Sequence, residues 1–224
     1  MRAFFMTATG TDIGKTYLAC GLIRAWRAGG LRANAFKPVL SGFDAAQAAE
    51  SDAGQLLAAL GRPVTPQSLD AISPWRYTAA LSPDAAAAKE GKRVDYGAVL
   101  AATRTFLQSP HDIALVEGAG GVMAPLSDDR TMLDWMADLG LPAILVTGSY
   151  LGTLSHTLTA LEVLAARRVP IALVVMNETT GSTVPLAENA AALARRIPTL
   201  PVRTLPRSAS PQAMAAIAGL LSAG

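Results

Sequence analysis

Short runs of apolar residues recur along the chain, and the stretches between them carry apolar residues every three or four positions. Three of these runs, 113–116, 143–146 and 171–175, are apolar throughout instead of alternating with polar residues. Strands that are covered by helices on both faces have this pattern, which is typical of parallel sheets. The pattern therefore predicts an α/β protein of three layers, with a mostly parallel central sheet and helices on both faces.

The same periodicity predicts the individual elements. Strands are predicted at 2–8, 33–37, 112–117, 142–147, 171–176 and 200–205. Helices are predicted at 15–28, 52–60, 83–90, 95–108, 131–139, 153–168, 185–196 and 210–222. The regular alternation is interrupted from 38 to 111, and we interpret about 42–95 as an insertion of short helices near the active site. Because no internal repeat or low-complexity linker is visible, a single domain over 1–224 is predicted.

Composition narrows the class of protein. A length of 224 residues is sufficient for one such domain with a sizeable core. The 19 basic and 17 acidic residues nearly balance, which argues against a nucleic-acid or membrane partner. Cys20 is the only cysteine, so the chain cannot form an internal disulfide and a reducing compartment is expected. Its place on the first predicted helix predicts that it packs in the core. Charges interrupt every apolar stretch before the roughly 20 residues of a membrane span, and the start lacks a signal-peptide pattern. A soluble, cytoplasmic protein is predicted.

The first predicted strand leads into the loop Thr9-Gly10-Thr11-Asp12-Ile13-Gly14-Lys15-Thr16, and a helix follows it. In this setting Gly-Lys-Thr binds phosphate, because backbone N–H groups and the positive end of the helix face the anion. The lysine adds positive charge, and the threonine hydroxyl is placed to coordinate Mg²⁺. The usual pattern has glycine where this chain has Thr9, so an ordinary turn is the alternative. The position at the first strand-to-helix junction favours a nucleotide site.

Ligands of open α/β sheets bind at the carboxyl ends of the strands, so polar residues that follow strands are candidates. Lys37 and Ser41 follow the second strand, and Glu117 begins a glycine-rich stretch after the third. Lys37 would supply positive charge for phosphoryl transfer, unless it is only a solvated strand end. Glu117 would provide a second Mg²⁺ contact, unless it is only a surface charge beside a flexible turn.

Three further positions have open interpretations. Asp52 opens a predicted helix, where aspartate is commonly a cap. The turn at 151–156 also opens a helix and could hold a carboxylate, but its threonine or serine could equally cap that helix. We interpret His156 as a packed or capping histidine and not as a catalyst. Asn177 could bond to a nucleobase edge or simply end a strand.

Five segments together resemble the dethiobiotin synthetase family. They are Gly-Thr-Asp-Ile-Gly-Lys-Thr, Phe-Lys-Pro-Val-Leu-Ser-Gly, Ser-Asp-Ala, Val-Glu-Gly-Ala-Gly-Gly and Leu-Gly-Thr-Leu-Ser-His, and they occur in this order. The second and fourth segments are the specific ones, since the phosphate loop alone is shared with other P-loop ATPases. The resemblance implies a homodimeric, Mg²⁺- and ATP-dependent cyclo-ligase. Such an enzyme forms dethiobiotin from 7,8-diaminopelargonic acid and CO₂ (supplied as bicarbonate) through a carbamate and a carbamic–phosphoric anhydride.

By matching position, the resemblance also implies roles for individual residues. Catalysis is assigned to Lys37 and Lys15, and Mg²⁺ binding to Thr16, Asp52 and Glu117. ATP contacts are assigned to Asp12, Ile13, Gly14, Lys15, Thr16, Tyr17, Asp52, Glu117, Gly118, Ala119, Gly120, Asn177, Pro206, Arg207 and Ser208. Substrate contacts are assigned to Thr11, Ser41, Gly121, Leu151, Gly152 and Ser155, with the helix start at Gly152–Ser155 reaching across a dimer interface. Tyr150 and Ser155 depart from the basic and amide residues of some members, and Asp84 replaces a frequent histidine, so no role is assigned to Asp84.

Two other classes of P-loop ATPase provide the alternatives. A cobyrinate-type amide synthetase would need a glutaminase domain with a Cys–His pair, and the sequence contains neither. A partitioning-type ATPase would have a second lysine near the start of the loop and a basic or amphipathic tail. Thr9-Gly10 lacks that lysine, and the segment 214–220 is apolar without a basic face.

Overall fold

The computed structural model describes residues 1–223, so Gly224, the last residue of the predicted domain, lies outside the described part. The strands are β1 (Arg2–Ala8), β2 (Ala33–Phe36), β3 (Val39–Ser41), β4 (Trp75–Tyr77), β5 (Ile113–Glu117), β6 (Ala143–Gly148), β7 (Ile171–Asn177) and β8 (Val202–Leu205). Six of them form one sheet in the order β2-β5-β1-β6-β7-β8, and every neighbouring pair is parallel. The predicted parallel sheet is therefore confirmed.

Helices connect these strands. They are α1 (Lys15–Ala28), α2 (Asp52–Ala59), α3 (Pro66–Ile72), α4 (Pro83–Lys89), α5 (Tyr96–Gln108), α6 (Met132–Leu139), α7 (Thr153–Ala166), α8 (Leu186–Ala194) and α9 (Pro211–Ser222). The predicted elements agree with the observed ones to within two residues at each end. Within residues 1–223, none of the helices has both the length and the apolar character that crossing a membrane requires.

Two hydrophobic clusters cover the two faces of the sheet. Phe4 and Met6 of β1 pack in one cluster with residues of α1, α2 and α9, while Phe5 packs in the other with residues of α6 and α7. This alternation follows from the period of two in a strand, which sends neighbouring side chains to opposite faces. Cys20 belongs to the first cluster and is buried, which confirms its predicted place in the core. Each fully buried large apolar side chain contributes roughly 1.5–3 kcal/mol.

The stretch from 38 to 111 contains elements that the sequence pattern did not predict. β3 and β4 pair in parallel as a small second sheet, and α3 and a short 3₁₀ helix (Ala45–Gln47) lie nearby. Strands of three residues are too short to show alternation, which explains why β3 and β4 were missed. α3 begins with reciprocal hydrogen bonds between Thr65 and Ser68, so serine takes the place of the glutamate or glutamine that usually marks such a start.

The strand order determines which residues meet at the carboxyl edge of the sheet. β1 is flanked by β5 and β6, and Met6 of β1 is in register with Glu117 at the end of β5. The backbone after β5 stays beside the end of β1, because Gly118 N–H donates to Met6 O and Val122 N–H to Ala8 O, both at 3.0 Å. Glu117 is thus held next to the loop that follows β1.

Candidate active site

The loop between β1 and α1 has the backbone of an anion-binding turn. Gly14, which precedes α1, has φ of 88° in the left-handed region, and Asp12 also has a positive φ of 56°. No side chain caps the first turn of α1, so its N–H groups remain available to a phosphate. Asn177 at the end of β7 holds the loop from behind, because its Nδ2 donates to Ile13 O at 2.7 Å. Asn177 therefore does more than end a strand.

Lys15 lies at the base of this loop with its side chain largely buried. Its Nζ donates to Gly10 O at 3.1 Å, so the lysine folds back along the loop. Burial and the positive charge of Lys37 lower the pKa of Lys15, which the nearby carboxylates offset only in part, so that it lies at about 8. Lys15 is consequently protonated at neutral pH and loses its proton as the pH rises past about 8.

The affinity for ATP is expected to fall as the pH rises above about 8. The protonated lysine attracts phosphate and is stabilised by it, so the pKa of Lys15 is higher in the complex than in the free protein. Between those two pKa values binding takes up a proton, and log K falls by up to about one unit per pH unit. Equilibrium titrations with ATP across this range would measure the slope. Lys15→Arg keeps its charge at every pH used, so a slope that persists in that variant would contradict the assignment to Lys15.

Lys37 follows β2 and is buried between two carboxylates. Its side chain is 3% exposed, and Nζ lies 2.6 Å from Asp52 Oδ2 and 2.7 Å from Glu117 Oε1. Burial by itself would lower the pKa of Lys37, but the charges and hydrogen bonds of Glu117 and Asp52 outweigh it and raise the pKa above its ordinary value. For Asp52, burial alone would raise the pKa, but the charge and hydrogen bond of Lys37 outweigh burial and lower the pKa below its ordinary value. The interpretation of Lys37 as a solvated strand end is wrong.

Glu117 is the most enclosed of these groups. It is 1% exposed, its Oε1 accepts from Thr16 Oγ1 at 2.7 Å, and its Oε2 is buried with no hydrogen-bond partner. An unpartnered buried carboxylate oxygen is costly unless a ligand satisfies it. The interpretation of Glu117 as a surface charge is therefore wrong.

Three oxygen donors converge at this point, and we call Thr16, Asp52 and Glu117 the cation cradle. Asp52 is available to it because Ser51, and not Asp52, caps α2 by accepting from Gly54 N–H at 3.1 Å. The capping interpretation of Asp52 is thus wrong. A hydroxyl and two carboxylates suit Mg²⁺, which would take its remaining ligands from water and phosphate. The unpartnered oxygen of Glu117 is the specific feature that fits such an ion.

A cavity of about 880 Å³ opens beside the phosphate loop and the cradle. Its wall includes residues of the predicted insertion, and Ser41 Oγ there is buried without a partner. The lining residues are Thr11, Asp12, Gly14, Lys15, Thr16, Tyr17, Lys37, Leu40, Ser41, Gly42, Glu50, Ser51, Asp52, Gln55, Ala80, Leu81, Ser82, Pro83, Ala119, Gly120, Gly121 and Ala124. This volume provides room for a second small molecule beside a triphosphate.

A smaller cavity of about 380 Å³ lies on the other side of the loop. Asn177 Oδ1 is buried there without a partner, and Tyr17 contributes to the walls of both cavities. The lining residues are Asp12, Ile13, Gly14, Tyr17, Asn177, Glu178, Thr179, Thr180, Leu205, Pro206 and Arg207. The unpartnered amide oxygen of Asn177 suits a group that bears a donor, such as the amino edge of a nucleobase.

Some residues with predicted roles do not line either cavity. These are Glu117, Gly118, Leu151, Gly152, Ser155 and Ser208, whereas Ile13 lines the smaller cavity alone. Conversely, Glu50, Gln55 and the segment 80–83 line the larger cavity but were not predicted. Their place depends on how the irregular stretch between β2 and β5 folds, and no local motif marks them.

The start of α7 has no side-chain cap, although the sequence offered Thr153 or Ser155 for that role. Gly152 precedes the helix with φ of 95°, and no side chain caps the first turn. Thr153 is buried and donates its hydroxyl inward to Gly148 O at 2.5 Å, so neither it nor Ser155 acts as the cap. His156 is exposed, and its Nδ1 lies 2.9 Å from Tyr150 Oη. The interpretation of His156 as a capping residue is wrong, because no side chain caps α7. Its exposed ring instead packs against Tyr150, with ring centroids 5.6 Å apart.

Comparison with known proteins agrees with this geometry. Residues 2–214 match the family model described as an AAA domain. Among solved structures, the septum site-determining protein MinD from Pyrococcus horikoshii OT3, complexed with Mg-ADP, superposes with a TM-score of 0.56 at 18% identity, over 97% of this chain and 94% of that one. Such a likeness shows a common fold. Together with the loop after β1, it defines the chain as a P-loop NTPase-type protein.

Relatives in sequence define the class more narrowly. The ATP-dependent dethiobiotin synthetase of Phenylobacterium zucineum (strain HLK1) is 49% identical over 93% of this chain and 90% of that protein. The protein of the same name from Caulobacter sp. (strain K31) is 46% identical over the whole of this chain and 96% of the relative. The chain belongs to the dethiobiotin synthetase family.

Proposed function

We propose that this protein uses ATP to close the ureido ring of dethiobiotin from 7,8-diaminopelargonic acid and CO₂. The observation that carries the proposal is the buried Lys37 between two carboxylates, at the junction of the phosphate loop and the larger cavity. That junction is where a phosphoryl group would pass from ATP to a second substrate. Membership of the dethiobiotin synthetase family supplies the identity of that substrate. The cobyrinate-type and partitioning-type alternatives have no comparable support, because the likeness to MinD extends only to the fold.

The reaction proceeds through three bond-forming steps. One amine of the diamine adds to CO₂ and loses a proton, which gives a carbamate. A carbamate oxygen then attacks the γ-phosphorus of ATP, the bond from that phosphorus to the bridging β-γ oxygen breaks, and ADP leaves. The second amine attacks the carbonyl carbon of the resulting anhydride and loses its proton as the C–O bond to phosphate breaks. Because a carbamate is a poor electrophile, phosphorylation is what makes ring closure possible.

The residues of the chain supply charge and orientation for these steps. Lys15 and Lys37 place positive charge beside the transferring phosphoryl group and the carbamate, where negative charge must be stabilised. The uncapped N–H groups at the start of α1 bind the phosphates. Ring closure then depends on holding two amines and one carbonyl in register, and such orientation accounts for up to ~7–11 kcal/mol of a barrier. A nucleophilic side chain is not required.

The cation cradle is assigned to Mg²⁺, held by Thr16, Asp52 and Glu117. When bound, Mg²⁺ would neutralise charge on the outer phosphates of ATP. The adenine is assigned to the smaller cavity, where Asn177 Oδ1 can accept from its amino group. Thr11, Ser41 and Gly121 in the larger cavity are assigned to the diamine.

We assign the turn at Leu151, Gly152 and Ser155 to the substrate carboxylate of a second copy in a cytoplasmic homodimer. The turn lies outside both cavities of its own chain, and Leu151 is 80% exposed, which supports a contact made with a partner.

Purified protein supplied with ATP, Mg²⁺, bicarbonate and the diamine is expected to form dethiobiotin, ADP and phosphate in equal amounts. Mass spectrometry with ¹³C-bicarbonate would follow the label into the ureido carbonyl, while a coupled assay counts ADP. The control omits the diamine, and ATP hydrolysis should then fall to background. ATP turnover that is indifferent to the diamine would contradict the ligase assignment and leave a simple P-loop ATPase.

A further inference from the structure

The cation cradle already holds a cation, which is the ammonium of Lys37. Nζ lies 2.6 Å from Asp52 Oδ2 and 2.7 Å from Glu117 Oε1. These are the same two carboxylates that are assigned to Mg²⁺. Lys37 is therefore paired with the two carboxylates that the metal needs. Its assigned partners in catalysis are different groups, the carbamate and the transferring phosphoryl group.

The local charges argue against a site that holds both cations at once. Asp52 and Glu117 carry two negative charges, and Lys37 and Lys15 carry two positive charges close to them. Adding a divalent ion without releasing Lys37 would leave a surplus of positive charge in a buried place, where like charges repel strongly. In addition, Glu117 Oε1 already accepts from Thr16 and Lys37, and only Oε2 is unpartnered.

We propose that Lys37 and Mg²⁺ compete for Asp52 and Glu117, so that Lys37 becomes available to the substrate only when these carboxylates hold the metal. Lys37 lines the larger cavity, so its ammonium has polar space to enter once it is released. The carboxylates thus have two roles, since they bind the metal and hold the catalytic lysine in reserve. The inference rests on the proposed function for the assignment of the metal ligands and of the carbamate.

The alternative is that Lys37 is a permanent structural partner of the two carboxylates. In that case its contacts would be the same with and without metal, and Lys37 would stay equally shielded from reagents when the metal binds. The competition requires tighter metal binding when Lys37 loses its charge, and it differs from the alternative in requiring also that bound metal releases Lys37.

Metal affinity can be measured without nucleotide by titrating Mn²⁺ and following the electron paramagnetic resonance signal of the free ion. In Lys37→Met the affinity is expected to rise about tenfold or more, because the competitor is gone and both carboxylates are unpaired. Lys37→Arg keeps a cation in place and is expected to bind no more tightly than the wild type. The matched control is Lys89→Met, which removes the same charge at an exposed position of α4 and should change the affinity less than twofold. Equal or weaker Mn²⁺ binding by Lys37→Met would overturn the proposal.

A second measurement uses only the wild-type protein, since Lys37→Met could be too unstable to purify. Lysines are acylated briefly with and without Mg²⁺, and mass spectrometry reports the labelling of each one. Labelling of Lys37 is expected to increase at least severalfold with Mg²⁺, while exposed Lys89 serves as an internal reference. Unchanged labelling of Lys37 at a Mg²⁺ concentration that displaces bound Mn²⁺ would overturn the proposal. Neither measurement contains the diamine, so failure of the competition leaves the ligase assay as a separate test of the proposed function.

Discussion

Replacing Lys37 with methionine is expected to lower the rate of dethiobiotin formation by about 10²–10³-fold, the loss that follows removal of one preorganised charge or donor at a reacting oxygen. Methionine approximates the shape of the lysine stem but leaves the carbamate and the transferring phosphoryl group without that ammonium. The rate should fall at saturating substrates, because the charge matters most as the phosphoryl group moves. Quenched-flow or steady-state assays of dethiobiotin and ADP would measure it.

The same substitution is also expected to destabilise the fold, and the two effects must be separated. Without Lys37, Glu117 and Asp52 are left as unpaired carboxylates, and breaking a buried pair costs about 3–5 kcal/mol. The partial exposure of Asp52 places the expected loss at the lower end of that range. Denaturant unfolding measures this loss, and ATP titration establishes that the assayed protein still binds nucleotide. Lys89→Met, with its exposed charge, should match the wild type in both. A folded, nucleotide-binding Lys37→Met protein with near-normal turnover would remove Lys37 from the mechanism.

The parts of the site that follow from local patterns could be predicted from the sequence. The phosphate loop lies between a strand and a helix that adjoin it in the chain, so Gly14, Lys15 and Thr16 needed no knowledge of the fold. Lys37 and Glu117 were candidates because parallel strands end at the same edge of a sheet. That they touch depends on β5 lying directly between β2 and β1, and this strand order is a tertiary property.

Other parts of the site depend on contacts that no short segment encodes. Asp52 reaches Lys37 because Ser51 takes over the capping of α2, a choice between two neighbouring residues that are both good caps. The wall formed by 80–83 depends on the pairing of β3 with β4, two strands too short to give a pattern. Asn177 was a candidate for nucleobase binding, but its bond to Ile13 O joins residues far apart in the chain. For this reason its role in holding the loop could only be found in the structure.

Replacing Gly14 with alanine is expected to weaken ATP binding by about 30–100-fold, because two local costs add. A side chain at the left-handed φ of 88° costs roughly 1–2 kcal/mol, and the new Cβ would lie 2.5 Å from Asn177 Nδ2. To relieve that contact the amide must give up its hydrogen bond to Ile13 O, which contributes about 1 kcal/mol. The loop of the variant relaxes in the free protein, so ATP must restore its binding conformation. The cost of about 2–3 kcal/mol corresponds to the expected loss of affinity of about 30–100-fold. Isothermal titration of ATP would measure it.

Gly30→Ala is the matched control for this substitution. Gly30 also has a left-handed φ, of 81°, but a Cβ there meets nothing within 4 Å and the residue lines neither cavity. It is therefore expected to lose roughly 1–2 kcal/mol of stability from the backbone alone while its ATP affinity stays within about twofold of the wild type. Both variants bear the cost of a left-handed alanine. The difference between their ATP affinities therefore reports the contact with Asn177 and the position of Gly14 in the loop. Equal ATP affinities in Gly14→Ala and Gly30→Ala would mean that the conformation of the loop after β1 is not what binds the triphosphate.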